Sequence, residues 1–259
     1  MQNPNLFYII LTKMKSEMIP IIYEDSEIFV INKRQGLAVQ GGAGISHSVD
    51  SDLAAQVGQK IYLVHRLDKE TSGLLVCAKN PAAAAKWTRI LGEKAAEKEY
   101  KALCFGAMKN PRGKICSDIV ERGVKKRAET FYETEKVFEI PWEDFEARDG
   151  KNAAKNFCAE SKFSAGVLPR KISLLRLRLG TGRMHQLRIH LAAEGVPICG
   201  DDKHGDFSAN RLLKKKFGIK RLCLCAFRLT LPLSEGRRTF EIDAEFPSRL
   251  EEKVASGLC

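Results

Sequence analysis

A single carboxylate between two apolar, strand-like runs is the feature that most constrains this chain. Residues His65-Arg66-Leu67-Asp68-Lys69-Glu70-Thr71-Ser72-Gly73 separate Ile61-Tyr62-Leu63-Val64 from Leu74-Leu75-Val76-Cys77-Ala78. The downstream run has the continuous apolar character of a buried strand. Such a strand carries no polar atoms for chemistry, so reactive side chains are expected on the turn that feeds it. Asp68, Thr71 and Ser72 can bond nearby backbone groups, and Gly73 permits a tight exit. Taken alone, Asp68 reads as a turn former, because Asp is common at turns.

The rest of the chain reads as strands interrupted by a few helices. Ile21–Tyr23 and Ile28–Ile31 flank a turn at residues 24–27. A glycine-rich loop, Gly36 to Gly44, lacks the Gly-x-x-x-x-Gly-Lys pattern of nucleotide phosphate loops. A short helix is expected over Val49–Val57. A clearer one runs over Ala82–Leu91, with Asn80 as cap, Pro81 in the first turn and Gly92 as the stop. Further strands are expected at residues 98–105, 128–134, 172–179, 222–229 and 238–244. In the strand Ile172–Leu179, Arg176 and Arg178 share one face. Residues 141–168 are polar, show no period and read as a surface excursion. Strands are separated by turns as often as by helices, which predicts an α+β fold rather than a doubly wound parallel sheet.

The net charge of +11 predicts attraction to a polyanion, either nucleic acid or an acidic membrane surface. Eight cysteines form no Cys-x-x-Cys pair, and most lie in apolar surroundings, as expected of small buried hydrophobes in a reducing cytosol. The closest pair, Cys223 and Cys225, does not have the spacing of a zinc site, and no metal is expected. The apolar run Leu6–Leu11 is too short to span a bilayer, and its lysines follow it, unlike a secretory signal. A cytoplasmic protein with no membrane attachment is expected. Residues 1–19 read as an N-terminal extension, 20–250 as one catalytic domain and 251–259 as a C-terminal tail.

A second polar motif follows the strand at 172–179: Thr181-Gly182-Arg183-Met184-His185-Gln186-Leu187-Arg188-Ile189-His190-Leu191. On a helix from about Met184, residues 184, 187 and 191 would form one apolar face. His185 and Arg188, three apart, share another face, which places Arg188 away from the core and toward a neighbouring turn. His185 and His190 lie about 140° apart around such a helix, so a shared metal is not expected. Taken singly, the histidines read as packed or hydrogen-bonded helix residues, and Arg183 and Arg188 as solvated ones.

As whole strings, these motifs resemble the RluA-like family of RNA pseudouridine synthases. His-Arg-Leu-Asp-x-x-Thr-Ser-Gly-Leu-Leu matches that family's signature, and Thr-Gly-Arg-x-His-Gln-Leu-Arg-x-His-Leu matches a later one, followed by Gly195-Val196-Pro197-Ile198-Cys199-Gly200-Asp201. Lys98-Glu99-Tyr100-Lys101-Ala102 matches the motif between them. The resemblance covers roughly residues 20–246, with the motifs in the family's order. It implies the pseudouridine synthase fold, a mixed and mostly antiparallel sheet with flanking helices and loops. It also implies that Asp68 is the catalytic nucleophile, that Arg188 pairs with it and that Tyr100 lines the uridine pocket. Arg66 is then placed to contact RNA vacated by a flipped base, with Arg183 and His185 as further RNA contacts. Two departures stand out: Asn32-Lys33-Arg34-Gln35-Gly36 lacks the family's proline, which bears on the stiffness of that loop, and Cys225 replaces a histidine.

The chemistry suits these residue types. Pseudouridine formation breaks the N1–C1′ bond of uridine and joins C5 to C1′, with no redox change and no outside group, so no cofactor is implied. A carboxylate can act as the nucleophile or as a base toward a sugar proton. A nearby arginine opposes its protonation in a closed site. The expected partner is ribosomal or transfer RNA, and the expected state a monomer. Many relatives carry a small RNA-binding domain ahead of the catalytic one; with about twenty residues before the first strand, that domain is expected to be absent. Two competing readings are a non-catalytic RNA-binding factor on the same scaffold and an unrelated aspartate-nucleophile hydrolase, which would usually want a second acid or a metal cluster.

Overall fold

The computed structural model describes residues 18–140 and 170–252, apart from residues 94, 122, 247, 249 and 251. The surface excursion expected at 141–168, most of the N-terminal extension and nearly all of the C-terminal tail lie outside the described residues. The chain divides into two compact units, one built from the chain through Glu97 with Leu229–Ile242, the other from Lys98–Arg228 and the residues after Ile242.

In the first unit, β1 (Ile21–Glu24) and β2 (Ile28–Lys33) form an antiparallel hairpin. Asp25 shapes its turn, Oδ1 accepting from the backbone N–H groups of Glu27 (2.7 Å) and Ile28 (2.8 Å). Helix α1 (Val49–Val57), β3 (Tyr62–Leu63), β4 (Ser72–Ala78) and α2 (Pro81–Gly92) follow. Strand β4 runs antiparallel to β2, from Ile28 opposite Ala78 to Lys33 opposite Gly73. The order is β1-β2-β4-β9, with β3 also on β4 and β10 (Gly236–Glu241) on β9; β9 (Leu224–Leu233) contributes Leu229–Leu233 to this unit. Both faces of β4 are buried, as its unbroken apolar run predicts.

Helix α2 closes one side of this core. Asn80 accepts from the Ala83 N–H (2.8 Å), and Pro81 occupies the first turn, where its missing donor costs nothing. Ala83, Trp87 and Leu91 recur at helical spacing and pack with Val30, Val76 and Leu231. The buried Trp87 indole donates to Glu27 Oε2 (2.9 Å), and Lys86 reaches the same carboxylate. Those two hydrogen bonds hold the Glu27 carboxyl below its ordinary range.

In the second unit the order is β9-β5-β8-β7-β6, with β5 spanning Glu97–Phe105, β6 Arg112–Glu121, β7 Val124–Glu139 and β8 Lys171–Leu179. The described pairings β5–β8, β7–β8 and β6–β7 are all antiparallel. Helices α3 (Gln186–Ala193) and α4 (Phe207–Phe217) follow β8. The fold is therefore α+β with a mostly antiparallel sheet. The sequence reading had no counterpart for β6 or α4, and it began α3 two residues early.

Trp87→Ala is expected to lower unfolding free energy by about 3–5 kcal/mol, read as a lower urea midpoint. Trp87→Phe, which keeps most of the ring but loses the bond to Glu27, should cost less than half of that; equal losses would mean that the indole N–H rather than packing dominates.

Candidate active site

The Asp68 turn is built on a buried ammonium. Lys33, at the end of β2, is fully buried, and its Nζ donates to the carbonyls of Arg34 (3.1 Å), Leu37 (2.9 Å) and Lys69 (3.1 Å). The loop after β2 is thereby tied to the turn that carries Asp68. Two more bonds reinforce the tie: Gly36 N–H to Lys69 O (2.9 Å) and Gln35 Nε2 to Glu70 O (2.8 Å). Gln35 thus supplies a tether in a loop that lacks the family's proline. Burial pushes the Lys33 ammonium down to about 8, and the carboxylates of Glu70 and Asp68 oppose that shift.

Other bonds fix the turn from its flanks. The Thr71 N–H donates to Asp68 O (3.0 Å), and the Thr71 side chain is buried. Val76 N–H donates to His65 Nε2 (3.0 Å), so that nitrogen carries no proton. Gly73 enters β4 with φ 117°, a conformation side chains rarely adopt. Leu67 points into the core, while Asp68 is partly exposed and Arg66 exposed.

In the second unit a polar spine links α3 to β7. Gln186, buried, donates from Nε2 to Glu129 O (2.7 Å) and Thr130 Oγ1 (3.0 Å). Its Oε1 accepts from Thr181 Oγ1 (2.7 Å) and Arg183 N–H (3.1 Å). His190, one helical turn on, is buried with Nδ1 2.9 Å from Thr130 Oγ1, and burial lowers its basicity. His190 is thus the packed helix residue that the sequence suggests.

Arg188 departs from the sequence reading. It is 3 % exposed, and it does not lie on a solvated face. Its Nε and Nη2 form a bidentate fork on Asp201 (2.8 and 2.6 Å), with Nη2 also 3.2 Å from Asp202 Oδ1. It does reach a neighbouring turn, through that turn's buried residue, Asp201. Burial would raise the Asp201 carboxyl; Arg188 and the N–H groups of His204 and Lys203 outweigh that and hold it below its ordinary range. Gly200, with φ 75°, lets the turn close: a Cβ there would lie 2.0 Å from Arg221 O.

His185 lies outside the helix, at its N-terminal boundary, in the left-handed region (φ 54°), the one non-glycine residue with positive φ among the described residues. That kink turns Met184 outward, 62 % exposed, so the apolar face comes from Leu187 and Leu191. His185 Nδ1 lies 3.0 Å from His204 Nε2, a hydrogen bond that needs at least one neutral ring. Arg183 is half-buried, with Nε buried and without a hydrogen-bond partner. Tyr100 is buried on β5, opposite Leu177.

Asp68 and Arg66 thus belong to the first unit, and Tyr100, Arg183, His185 and Arg188 to the second. The structure brings Arg183, His185 and Arg188 to one helix start. Lys33, Gln186, Asp201 and His204 are supporting residues the sequence reading did not assign. Motif spacing was the signal available for Gln186 and Asp201; nothing local marks Lys33 as buried.

A model of the RNA pseudouridylate synthase family matches residues 27–193. The ribosomal large subunit pseudouridine synthase C of Salmonella typhimurium (strain LT2) is 31% identical over 238 residues, 89% of this chain and 67% of that protein. The protein of the same name from Rickettsia prowazekii (strain Madrid E) is 38% identical over 188 residues, covering 72% of this chain and 56% of its own length. The solved structure of human RNA pseudouridylate synthase domain containing 1 superposes with a TM-score of 0.67 at 23% identity, over 90% of this chain and 86% of that one. The fold is that of pseudouridine synthases. The chain belongs to the RNA pseudouridylate synthase family and is an isomerase of that class.

Lys33→Met should leave the caged carbonyls short of a donor and cost about 1–3 kcal/mol. Thermal melts check the stability loss. Wild-type stability in the variant would mean that the backbone ties alone hold the Asp68 turn.

Proposed function

We propose that this chain converts a uridine of large-subunit ribosomal RNA to pseudouridine, with the Asp68 carboxylate as nucleophile. The observation that carries the reading is the family match over residues 27–193, which includes Asp68, Tyr100 and Arg188. The relatives' names favour ribosomal over transfer RNA as the substrate. Residues 20–250 are the catalytic region, flanked by 1–19 and 251–259, and the enzyme works as a cytoplasmic monomer. No helix among the described residues is long and apolar enough to cross a membrane.

The target uridine leaves its stack and lies against Tyr100. Asp68 attacks C1′ as the N1–C1′ bond breaks, and the bonding pair departs on uracil. The base turns, and C5 attacks C1′ and displaces the Asp68 carboxylate. C5 then loses its proton and N1 gains one, so the product is an isomer of the substrate. Arg188 favours the ionised form of Asp68 and aims it. Arg66 contacts the RNA left by the flipped base. Arg183, whose buried Nε has no hydrogen-bond partner, takes an RNA oxygen, and His185, beside it at the start of α3, contacts the RNA.

The test is a pseudouridine map of total RNA from cells lacking the gene, complemented with wild type or Asp68→Ala. One ribosomal site should vanish on deletion and return with wild type alone. With purified protein, Asp68→Asn should bind RNA and not turn over, and Arg188→Lys should lose about 10²-fold or more in kcat/KM. Turnover by either Asp68 variant would refute the nucleophile assignment. Free uracil in place of pseudouridine would favour the hydrolase.

A further inference from the structure

Many of the described cations outside one segment have a carboxylate within ion-pair distance. Lys79 pairs with Glu24, Lys86 with Glu27, Lys101 with Glu135, Lys126 with Glu121 and Arg237 with Glu97. The segment from 203 to 220 differs. It holds Lys203, Arg211, Lys214, Lys215, Lys216 and Lys220 against one carboxylate, Asp206, a net +5 in a chain whose whole net charge is +11. All six cations are exposed, and none has an ion-pair partner among the described residues. Asp206 is already committed: Oδ1 caps α4, accepting from Ser208 N–H and Ala209 N–H (both 2.9 Å).

The helix dipole accounts for only part of this. Cations in a last turn are favoured, which covers Lys214, Lys215 and Lys216. It does not cover Lys203, Arg211 or Lys220. On α4 the apolar residues Ala209, Leu212, Leu213 and Phe217 face inward. Arg211, Lys214 and Lys215, at i, i+3 and i+4, form a ridge on the opposite, solvent side. Like charges at that spacing repel in the free protein, and a polyanion relieves the repulsion.

The ridge is rigidly tied to Arg188's carboxylate partner. Asn210, on α4, accepts from Gly200 N–H (2.6 Å) and donates to Asp201 O (2.8 Å). A strand of phosphates held by α4 would be kept in fixed relation to Arg188.

We propose that the exposed cations of α4 and its flanks form a docking surface for the phosphate backbone of structured RNA, separate from the groups that act on the target uridine. The inference rests on the reading of RNA as substrate. The surface reads no bases; it contributes salt-dependent affinity and sets the direction in which the RNA leaves the site.

The test measures binding of protein-free large-subunit ribosomal RNA across a salt series. The variants are the Lys214→Gln, Lys215→Gln, Lys216→Gln triple and, separately, the Arg211→Gln, Lys220→Gln double. The triple should reduce the slope of log affinity against log salt by about two to three, and the double by about two. Each should bind about tenfold or more weakly near physiological salt, with the deficit appearing in KM and melting temperatures held. A Lys86→Gln, Lys126→Gln control, removing two paired lysines, should leave the slope unchanged. Wild-type slopes in both variants would overturn the proposal. So would intact RNA binding with lost binding to phosphatidylserine vesicles, which would make the surface a membrane site. If wild type isomerises no uridine at all, it is the functional reading that fails.

Discussion

The Lys33 ammonium is where the first unit commits itself. An amine without exposed surface loses most of its hydration, and the structure replaces it with three carbonyls from two loops. Those carbonyls are not in a strand ladder; Lys69 O also accepts from Gly36 N–H, while the Leu37 carbonyl bond is buried. The ammonium therefore requires both loops. The Asp68 turn takes its place because Lys69 O is one corner of the cage, and the preceding loop because Arg34 and Leu37 supply the other two. A position defined by a buried charge tolerates less drift than one defined by apolar contact, which suits the role proposed for Asp68.

The second unit uses the same principle with different groups. Gln186, Arg188 and His190 are all buried on α3, Gln186 and His190 on one face and Arg188 on the opposite one, so a helix of eight residues carries polar groups into the interior on two sides. Thr130 and Glu129 O meet Gln186 and His190 on one side, and Asp201 meets Arg188 on the other. Removing Arg188 would leave Asp201 as a buried charge without its counterion, so stability would fall with it.

What was legible in the sequence divides along physical lines. Asn80 with Pro81 located α2, and the unbroken run at 74–78 located β4, because both signals are local. Strand β6 escaped notice because its buried residues, Ile115 and Ile119, stand four apart among polar ones and give no period of two. Helix α4 carried readable signals, Asp206 as its cap and Gly218 beyond its end, that its run of lysines obscured. The family was legible through whole motifs and not through any single residue. The Arg188–Asp201 fork was not, because thirteen residues and a turn separate its members and only tertiary packing brings them together. The burial of Lys33 depends on two loops that no local pattern reports.

Asn210 has a consequence for how the protein opens. Its amide spans Gly200 and Asp201, while Asp201 in turn holds Arg188 and the backbone of Lys203 and His204. Helix α3, the 198–206 turn and α4 are thus linked through one buried residue, Asp201, by its carboxylate and its backbone carbonyl, into a single cooperative unit. None of the three can fray far without breaking bonds of the other two. Backbone amides across them should share one free energy of opening, so that thermal fluctuation either keeps the whole assembly shut or releases it together.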